Sequence, residues 1–460
     1  MKCTKNFDTI AAISTPLGCG GIGVIRISGS LVVPVIIPKI LKESLFPNKA
    51  KYLSFFDEKK KVLDKGIALF FSSPFSFTGE DVLELQGHGN PVILNILLKR
   101  VISFPGVRMA RPGEFSERAF YNKKLDLIQA EAIFDFINAD SAYSASLAMS
   151  SMQGTFSTII NKLVEDLIKI RVYIEGILNF PNENFTGFSE DIMKSHLDDI
   201  LVKLEKVCVE AHKSNRSYSG MNFVIVGESN VGKSSLLNKL IKKEVAIVSK
   251  IVGTTRDILR YKIYLNGISF NIIDTAGFND NVKNEIERIG IQRTFFEMKN
   301  ADHILFMIDA KFVISNISDI SNIGFFSQIP KEIPTTIIRN KSDLVGEFPK
   351  KNKISRYTII TLSIKFDQGI SLLQEYLMQC CINNSVGTEG KLLARERHLN
   401  ALYSAKDHLI KSKKYFRDNS YNELVAEELR LAQIALDEIT GKFSSDDLIK
   451  KIFSTFCIGK

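Results

Sequence analysis

Between residues 227 and 234 the chain reads Gly-Glu-Ser-Asn-Val-Gly-Lys-Ser, a Gly-x-x-x-x-Gly-Lys-Ser pattern. Such a segment can wrap a row of phosphates. Glycines let backbone N–H groups turn inward, and the amino end of a following helix adds partial positive charge. Lys233 would reach the β- and γ-phosphates, and the Ser234 hydroxyl would bind magnesium. Asn230, Val231, Gly232 and Ser235 complete the wrap. The pattern requires a strand before it and a helix after it. Phe223 to Val226 is a short apolar run, and Ser235-Leu-Leu-Asn-Lys-Leu reads as a helix.

Three further motifs follow in order. Gly253-Thr254-Thr255-Arg256-Asp257 supplies Thr255, whose hydroxyl can complete the magnesium shell when a γ-phosphate is present. Asp274-Thr275-Ala276-Gly277 follows the apolar run Phe270 to Ile273. Its aspartate would hold magnesium through water, and the Gly277 amide would sense the γ-phosphate. Asn340-Lys341-Ser342-Asp343 follows the strand-like Thr335 to Ile338. A carboxylate at Asp343 accepts from both N1–H and the 2-amino group of guanine, a pair of donors that adenine lacks. Ser363-Ile364-Lys365 fits a last base-contacting loop. Together these motifs specify GTP.

Many small GTPases place a water-orienting glutamine directly after the Asp-x-x-Gly motif; here that position is Phe278, which cannot polarise water. Asn230, with Ser249 and the backbone from Ile251 to Thr254, offers oxygen donors for a monovalent cation beside the phosphates. Such a cation would offset charge where an arginine finger otherwise acts. Glu287 is a candidate to orient water; from its sequence context alone it reads as a solvated helix residue.

The elements that must position these residues show in the patterning. Up to about residue 120, strand-like runs (Thr9 to Ser14, Gly23 to Ser28, Gly66 to Phe71, Asp81 to Leu85) alternate with glycine- and proline-containing turns, predicting an α+β domain over 1–120. From Leu125 the period changes. Ile128, Ala132, Ile133, Phe136 and Ile137 share a helical face, and helical sequence continues through 121–216. Residues 217–382 alternate strand and helix, the signature of a doubly wound α/β domain. Over 383–460 the chain is helical again, with Ser420 and Glu423 as a capping box, Val425, Leu429, Ala432, Leu436 and Ile439 as an apolar stripe, and Gly441 as a stop. That stripe needs a partner. The expected architecture is multidomain α+β and α/β: an N-terminal domain, then a helical domain interrupted by an inserted nucleotide-binding domain.

With 460 residues the chain exceeds one core. No run approaches a membrane span of about 20 apolar residues, and no signal-peptide pattern opens the chain, so a cytoplasmic location and no membrane partner are expected. The six cysteines lack a zinc or disulfide spacing. A net charge of +9 permits an acidic partner such as RNA, although lysines spread along the chain are equally well solvated surface groups.

Over nearly its whole length the sequence resembles the TrmE/MnmE family of tRNA modification GTPases. The resemblance is carried by Thr9 to Gly29, Phe77 to Gly89, Arg111 to Ala132, the GTPase motifs, Ile286 to Arg293 and the terminal Cys457-Ile-Gly-Lys460. It implies a GTP hydrolase, acting with an FAD-dependent MnmG/GidA-type protein in a heterotetramer, that places an aminomethyl-type group on carbon 5 of the wobble uridine of certain tRNAs. A tetrahydrofolate derivative (5-formyl- or methylene-tetrahydrofolate) would supply the one-carbon unit. The N-terminal domain would have a folate-binding-like fold, form a homodimer and bind the folate through Arg26, Glu84, Lys124 and Lys460. Potassium would be held by Asn230, Ser249, Ile251 and Thr254, with Glu287 orienting water and Lys233 completing the catalytic pair. Asn279 and Asn179 depart from the family pattern, where arginine and aspartate are usual.

Other signals are discounted. Gly18-Cys-Gly20-Gly-Ile-Gly23 fits a dinucleotide fingerprint, but the residues after it read as a strand where a helix is required. Cys457 reads equally as a reactive thiol or a core residue. His88, between two glycines, reads as a turn histidine beside a ligand pocket rather than a catalytic base. Two rival functions remain: a ribosome-assembly-type regulatory GTPase without tRNA chemistry, and a folate-dependent transferase in which GTP only regulates.

Overall fold

In the computed structural model, the described residues are 8–16, 18–139, 141–179, 190–219, 221–243, 260–265, 268–274, 294–314, 316–321, 323–385, 392–417, 422–442, 446–456 and 459. They form two compact units. One comprises Met1–Asp135, Ser151–Leu204 and Asn400–Lys460, the other Phe136–Ser150 and Glu205–Leu399.

Short alternating runs near the start of the chain build the first unit's sheet. Its strands are β1 (Thr9–Ile13), β2 (Gly20–Ser28), β3 (Lys51–Phe56), β4 (Val62–Phe71), β5 (Val82–Gly89) and β6 (Val107–Met109), in the order β3-β4-β5-β2-β1-β6. All pairings are antiparallel except that of β1 with β6. Strand alternation sends Ile25, Ile27, Leu83, Leu85, Ala68 and Phe70 to one face, where Leu94, Leu97 and Leu98 of the helix Pro91–Ile102 join the same core. Asn90 caps that helix by accepting from the Val92 amide at 2.8 Å, and Pro91 fills the first turn. β3 and this helix were not among the elements expected from sequence. The Gly18–Gly23 fingerprint does run into a strand, β2, as its sequence implied.

The helical part of this unit includes Glu114–Tyr121, Thr155–Asn179, Asn422–Thr440 and Asp446–Ser454. The stripe Val425, Leu429, Ala432, Leu436 and Ile439 is buried, and Gly441 follows the helix in a left-handed turn. The face expected for Leu127–Ile137 differs in part: Phe136 and Ile137 are exposed, whereas Glu131 and Asp135 are buried with Leu127, Ile128, Ala130 and Ala132. The covering residues set this rotation, because Leu127 and Ala130 form one core with Ile449, Ile452, Phe453 and Phe456.

A charge network lies inside the same unit. The fully buried Arg118 guanidinium donates to both Glu80 oxygens (2.9 and 3.2 Å) and to Glu114 (3.2 Å). Arg108 donates to Glu114 at 2.8 and 2.5 Å, and the Arg111 amide adds 2.8 Å. Burial works to raise the Glu114 pKa, but the Arg108 bonds, the Arg111 amide and the Arg118 charge outweigh it and hold it at about 2.

In the second unit, β7 (Met221–Gly227), β8 (Arg260–Leu265), β9 (Ile268–Asp274), β10 (His303–Asp309), β11 (Thr335–Asn340), β12 (Lys350–Ile354) and β13 (Tyr357–Thr361) form a sheet in the order β12-β13-β11-β10-β7-β9-β8. The five inner strands are parallel, and the two edges are antiparallel. Phe223 and Ile225 pack with Leu236, Leu240, Leu373 and Leu377 of the helices Lys233–Lys243 and Ile370–Ser385. Val224 and Val226 pack with Met298, Ile320 and Phe326, so both faces are covered and the sheet is doubly wound. No described helix is long and apolar enough to cross a membrane.

Truncation of Arg118 leaves the largely buried Glu80 without its guanidinium and takes one of its arginines from the buried Glu114, which keeps Arg108. Arg118→Ala is expected to cost the first unit about 3–5 kcal/mol in urea unfolding. A group with a depressed folded pKa stabilises above its unfolded value and loses that contribution as pH falls through the folded one. Wild-type stability should therefore fall between about pH 4.5 and 2, and Arg108→Ala, which removes the bonds that do most to hold Glu114 down, should flatten that dependence. An unchanged unfolding midpoint would contradict the role given to the network.

Candidate nucleotide-binding site

All five parallel strands point their carboxyl ends to one edge, and the motif residues stand there. Gly227 ends β7, Asp274 ends β9, Asp309 ends β10 and Asn340 ends β11, while Ser363 lies two residues past β13. β7 lies between β9 and β10, where the sheet's winding reverses, the place where α/β sheets bind ligands.

The phosphate loop turns through Asn230 (φ 65°) and Gly232 (φ 103°) before its helix begins at Lys233. A Cβ at Gly232 would lie 2.5 Å from Asn340 Nδ2, so only glycine permits this approach. Lys233 is buried and donates from Nζ to the carbonyls of Gly227 (3.0 Å) and Glu228 (2.7 Å), which places its ammonium inside the loop's curve. Val231 is buried; Asn230 is exposed at the loop surface.

Asn340 joins three loops. Its Nδ2 donates to the Val231 carbonyl at 2.8 Å, and its Oδ1 accepts from the Ile364 amide at 3.2 Å. Ser363 Oγ donates to Asp343 Oδ1 at 2.5 Å, which fixes the carboxylate through one of its two oxygens. Lys341, in left-handed backbone (φ 68°), pairs with Asp309 at 3.0 Å. Burial raises the Asp309 pKa, yet the Lys311 amide and the Lys341 ammonium hold it below the usual carboxylate range.

Behind these loops Arg339 donates to the carbonyls of Ala310 (2.6 Å) and Phe312 (3.1 Å) and to both Glu347 oxygens at 3.0 Å. Arg339 and Lys350 draw the Glu347 pKa down to about 2. Sequence reading did not single out this brace. The cue it offers is an arginine, Arg339, set directly after the apolar pair Ile337-Ile338 within β11.

Thus Asn230, Val231, Gly232, Lys233, Ser234, Ser235, Asn340, Lys341, Asp343, Ser363, Ile364 and Lys365 stand along one edge of one sheet. Asp274 ends β9 beside β7. Ser249, Ile251, Thr254, Thr255, Thr275, Ala276, Gly277 and Glu287 lie outside the described residues, as do Phe278 and Asn279.

A second cluster stands on the first unit's sheet. Arg26 donates from Nε to Glu84 Oε1 at 2.9 Å across the β2–β5 pairing. Its Nη1 donates to the Gly459 carbonyl at 3.4 Å, and Ser14 Oγ donates to the same oxygen at 3.1 Å. The residue before Lys460 is therefore seated beside Arg26 and Glu84, while Lys460 and Cys457 lie outside the described residues. Lys124 donates to the Pro74 carbonyl at 3.1 Å, and a Cβ at Gly79 would stand 3.4 Å from its Cγ.

A doubly wound parallel sheet with this lysine-bearing loop and an Asn-Lys-Ser-Asp base loop defines a P-loop GTPase. Residues 9–124 match the family described as GTP-binding protein TrmE N-terminus, and residues 127–457 match the MnmE helical domain. The chain is 50% identical over 453 residues to the tRNA modification GTPase MnmE of Sodalis glossinidius, covering 98% of this chain and 99% of that one. It is 50% identical over 455 residues to the same-named protein of Baumannia cicadellinicola (99% of each chain). With that of Pectobacterium carotovorum the figure is 48% over 459 residues, covering 99% of this chain and 100% of the other. This chain belongs to the MnmE family of tRNA modification GTPases.

Removing the Asn340 amide deletes two buried hydrogen bonds, each contributing about 0.5–1.5 kcal/mol. Asn340→Ala should weaken binding of a fluorescent GDP analogue about tenfold. Affinity equal to wild type would show that the loops hold their arrangement without it.

Proposed function

We propose that this chain hydrolyses GTP in a potassium-stimulated cycle and, with an FAD-dependent partner, installs an aminomethyl-type group on C5 of the wobble uridine of certain tRNAs in the cytoplasm. The observation that carries the reading is one chain that holds both a phosphate loop and a base loop tied together by Asn340 and a separate polar seat of Arg26, Glu84 and Gly459. A regulatory GTPase without tRNA chemistry would have no use for the second.

In this reading residues 1–120 dimerise and bind a tetrahydrofolate derivative, and residues 217–382 are a GTPase domain inserted between helical segments 121–216 and 383–460. The residues suit these groups. The buried Lys233 ammonium sits within a curve of backbone and would meet phosphate oxygens. Asp343 keeps one oxygen for guanine. Hydroxyl and amide oxygens of Ser234, Thr255, Asn230, Ser249, Ile251 and Thr254 are hard donors appropriate to magnesium and potassium. When bound, these cations neutralise charge on the phosphates. Glu287 would orient the attacking water, a task Phe278 at the glutamine position cannot perform. On the first unit, the Arg26–Glu84 pair presents donors and acceptors together, as recognition of a pterin-like ring requires. Lys124 and Lys460 would add positive charge for carboxylates.

Two measurements test the proposal. GTP hydrolysis at matched ionic strength should be at least about tenfold faster in potassium than in sodium; equal rates would remove the cation from the mechanism. In cells lacking the chain, tRNA should lose its C5-aminomethyl-type wobble uridines and regain them with a wild-type copy. Unchanged nucleosides would leave a GTPase acting elsewhere, with ribosome assembly the next reading.

A further inference from the structure

We propose that His88, oriented by Asp64, is a general base of the N-terminal site, taking a proton from an N–H group of the ligand or co-substrate bound along β5. This inference rests on the function proposed above and assigns that site a proton acceptor.

The pair is built by the sheet. His88 and Asp64 are 24 residues apart and meet because β4 and β5 are neighbours. His88 Nδ1 lies 2.7 Å from Asp64 Oδ1, and the His88 amide donates to Asp64 Oδ2 at 2.8 Å, so two bonds fix the residue against one carboxylate. The Lys65 amide adds a third bond at 2.8 Å. Gly87 makes room for this: a Cβ there would stand 2.4 Å from Asp64 Oδ2. Any other residue between Gln86 and His88 would displace the carboxylate.

The chemistry follows from exposure and tautomer. The Asp64 side chain is 9% exposed, whereas the imidazole is 73% exposed. Burial alone would raise the Asp64 pKa, but the bonds from the His88 ring, the His88 amide and the Lys65 amide lower it, so the carboxylate is an acceptor only. In the neutral ring Nδ1 then carries the proton, which leaves the lone pair on Nε2. This is the orienting logic of a carboxylate behind a catalytic imidazole. Around the ring, β4 contributes Asp64 and Lys65, and β2 contributes the uncharged Gly20 to Gly23.

The placement suits an elongated ligand. Strand alternation gives Glu84, Gln86 and His88 the same face, and Gln86 Nε2 donates to Glu84 at 3.4 Å along that row. Four residues of strand separate Glu84 from His88 by about 13 Å. A ligand seated by one end on Arg26 and Glu84 would lie along this row. In the step itself an N–H bond breaks with its electron pair left on nitrogen, and an Nε2–H bond forms. The imidazolium keeps its Nδ1 proton, hydrogen-bonded to the Asp64 carboxylate, and the transferred proton then leaves Nε2 to solvent.

The test uses the full chain with its partner and substrate tRNA, reading nucleoside modification and GTP hydrolysis separately. His88→Ala should lower the modification rate by about 10²-fold or more while KM for tRNA, GTP hydrolysis and melting temperature stay at wild-type values. Imidazole added at constant pH should restore part of the rate to His88→Ala and none to the wild type. Asp64→Asn, which removes the orienting acceptor but keeps the ring, should give an intermediate loss in kcat. Full modification by His88→Ala, or a loss that imidazole does not relieve, would overturn the assignment. A wild-type protein that hydrolyses GTP but modifies no tRNA would instead overturn the function proposed above.

Discussion

The nucleotide edge depends on the side-chain amide of Asn340. Sheet order separates β11 from β7 by β10, so the phosphate loop and the base loop leave non-adjacent strands. Backbone pairing alone would let each loop settle independently. Asn340 reaches across, giving its donor to Val231 and its acceptor to Ile364, and so uses each end of the amide once. Buried polar pairs of this kind are strong because no water competes, and costly to leave half-made for the same reason. Gly232 belongs to the same device, since any side chain there would occupy the place of the amide. The segment around Val231 and the segment around Ile364 are thereby held at one spacing.

Much of this edge was legible in the sequence because its parts are local. The Gly-x-x-x-x-Gly-Lys-Ser segment carries its own strand before and helix after, and the turn residues sit at fixed offsets. The cross-loop partners of Asn340 were not legible, because they depend on which strands become neighbours. The Arg339–Glu347 brace was not legible for a related reason: the carbonyls that Arg339 meets, those of Ala310 and Phe312, come from the loop after another strand.

The first unit shows the same division more sharply. Strand alternation located β1, β2, β4 and β5, but β3 (Lys-Tyr-Leu-Ser-Phe-Phe) mixes polar and aromatic residues too evenly to stand out. The helix Pro91–Ile102 had its signals in view, an asparagine cap followed by proline, yet its surroundings read as strands and turns. Arg118 could not be placed inside from sequence. Its burial is tolerable only because Glu80 and Glu114, 38 and 4 residues away in the chain, both reach it. Asp64 lay hidden from His88 in the same way until the β4–β5 register was known.

Strand polarity decides which segments can take part in nucleotide chemistry. Register aligns Ile225 with Asp274, Met307 with Gly227 and Asp309 with Asn340, so the ends of neighbouring strands from β9 to β11 fall within about two residues of one another along the carboxyl edge. The carboxyl ends of β7 and β9 stand side by side. β8 and β12 run the other way and send their carboxyl ends to the far edge of the sheet. Their sequences fit a different duty. Lys350, Lys351 and Lys353 are exposed along β12, where charge discourages another chain from pairing with the open edge. A motif earns its function here by the direction of the strand that delivers it, and five parallel strands deliver theirs to one place.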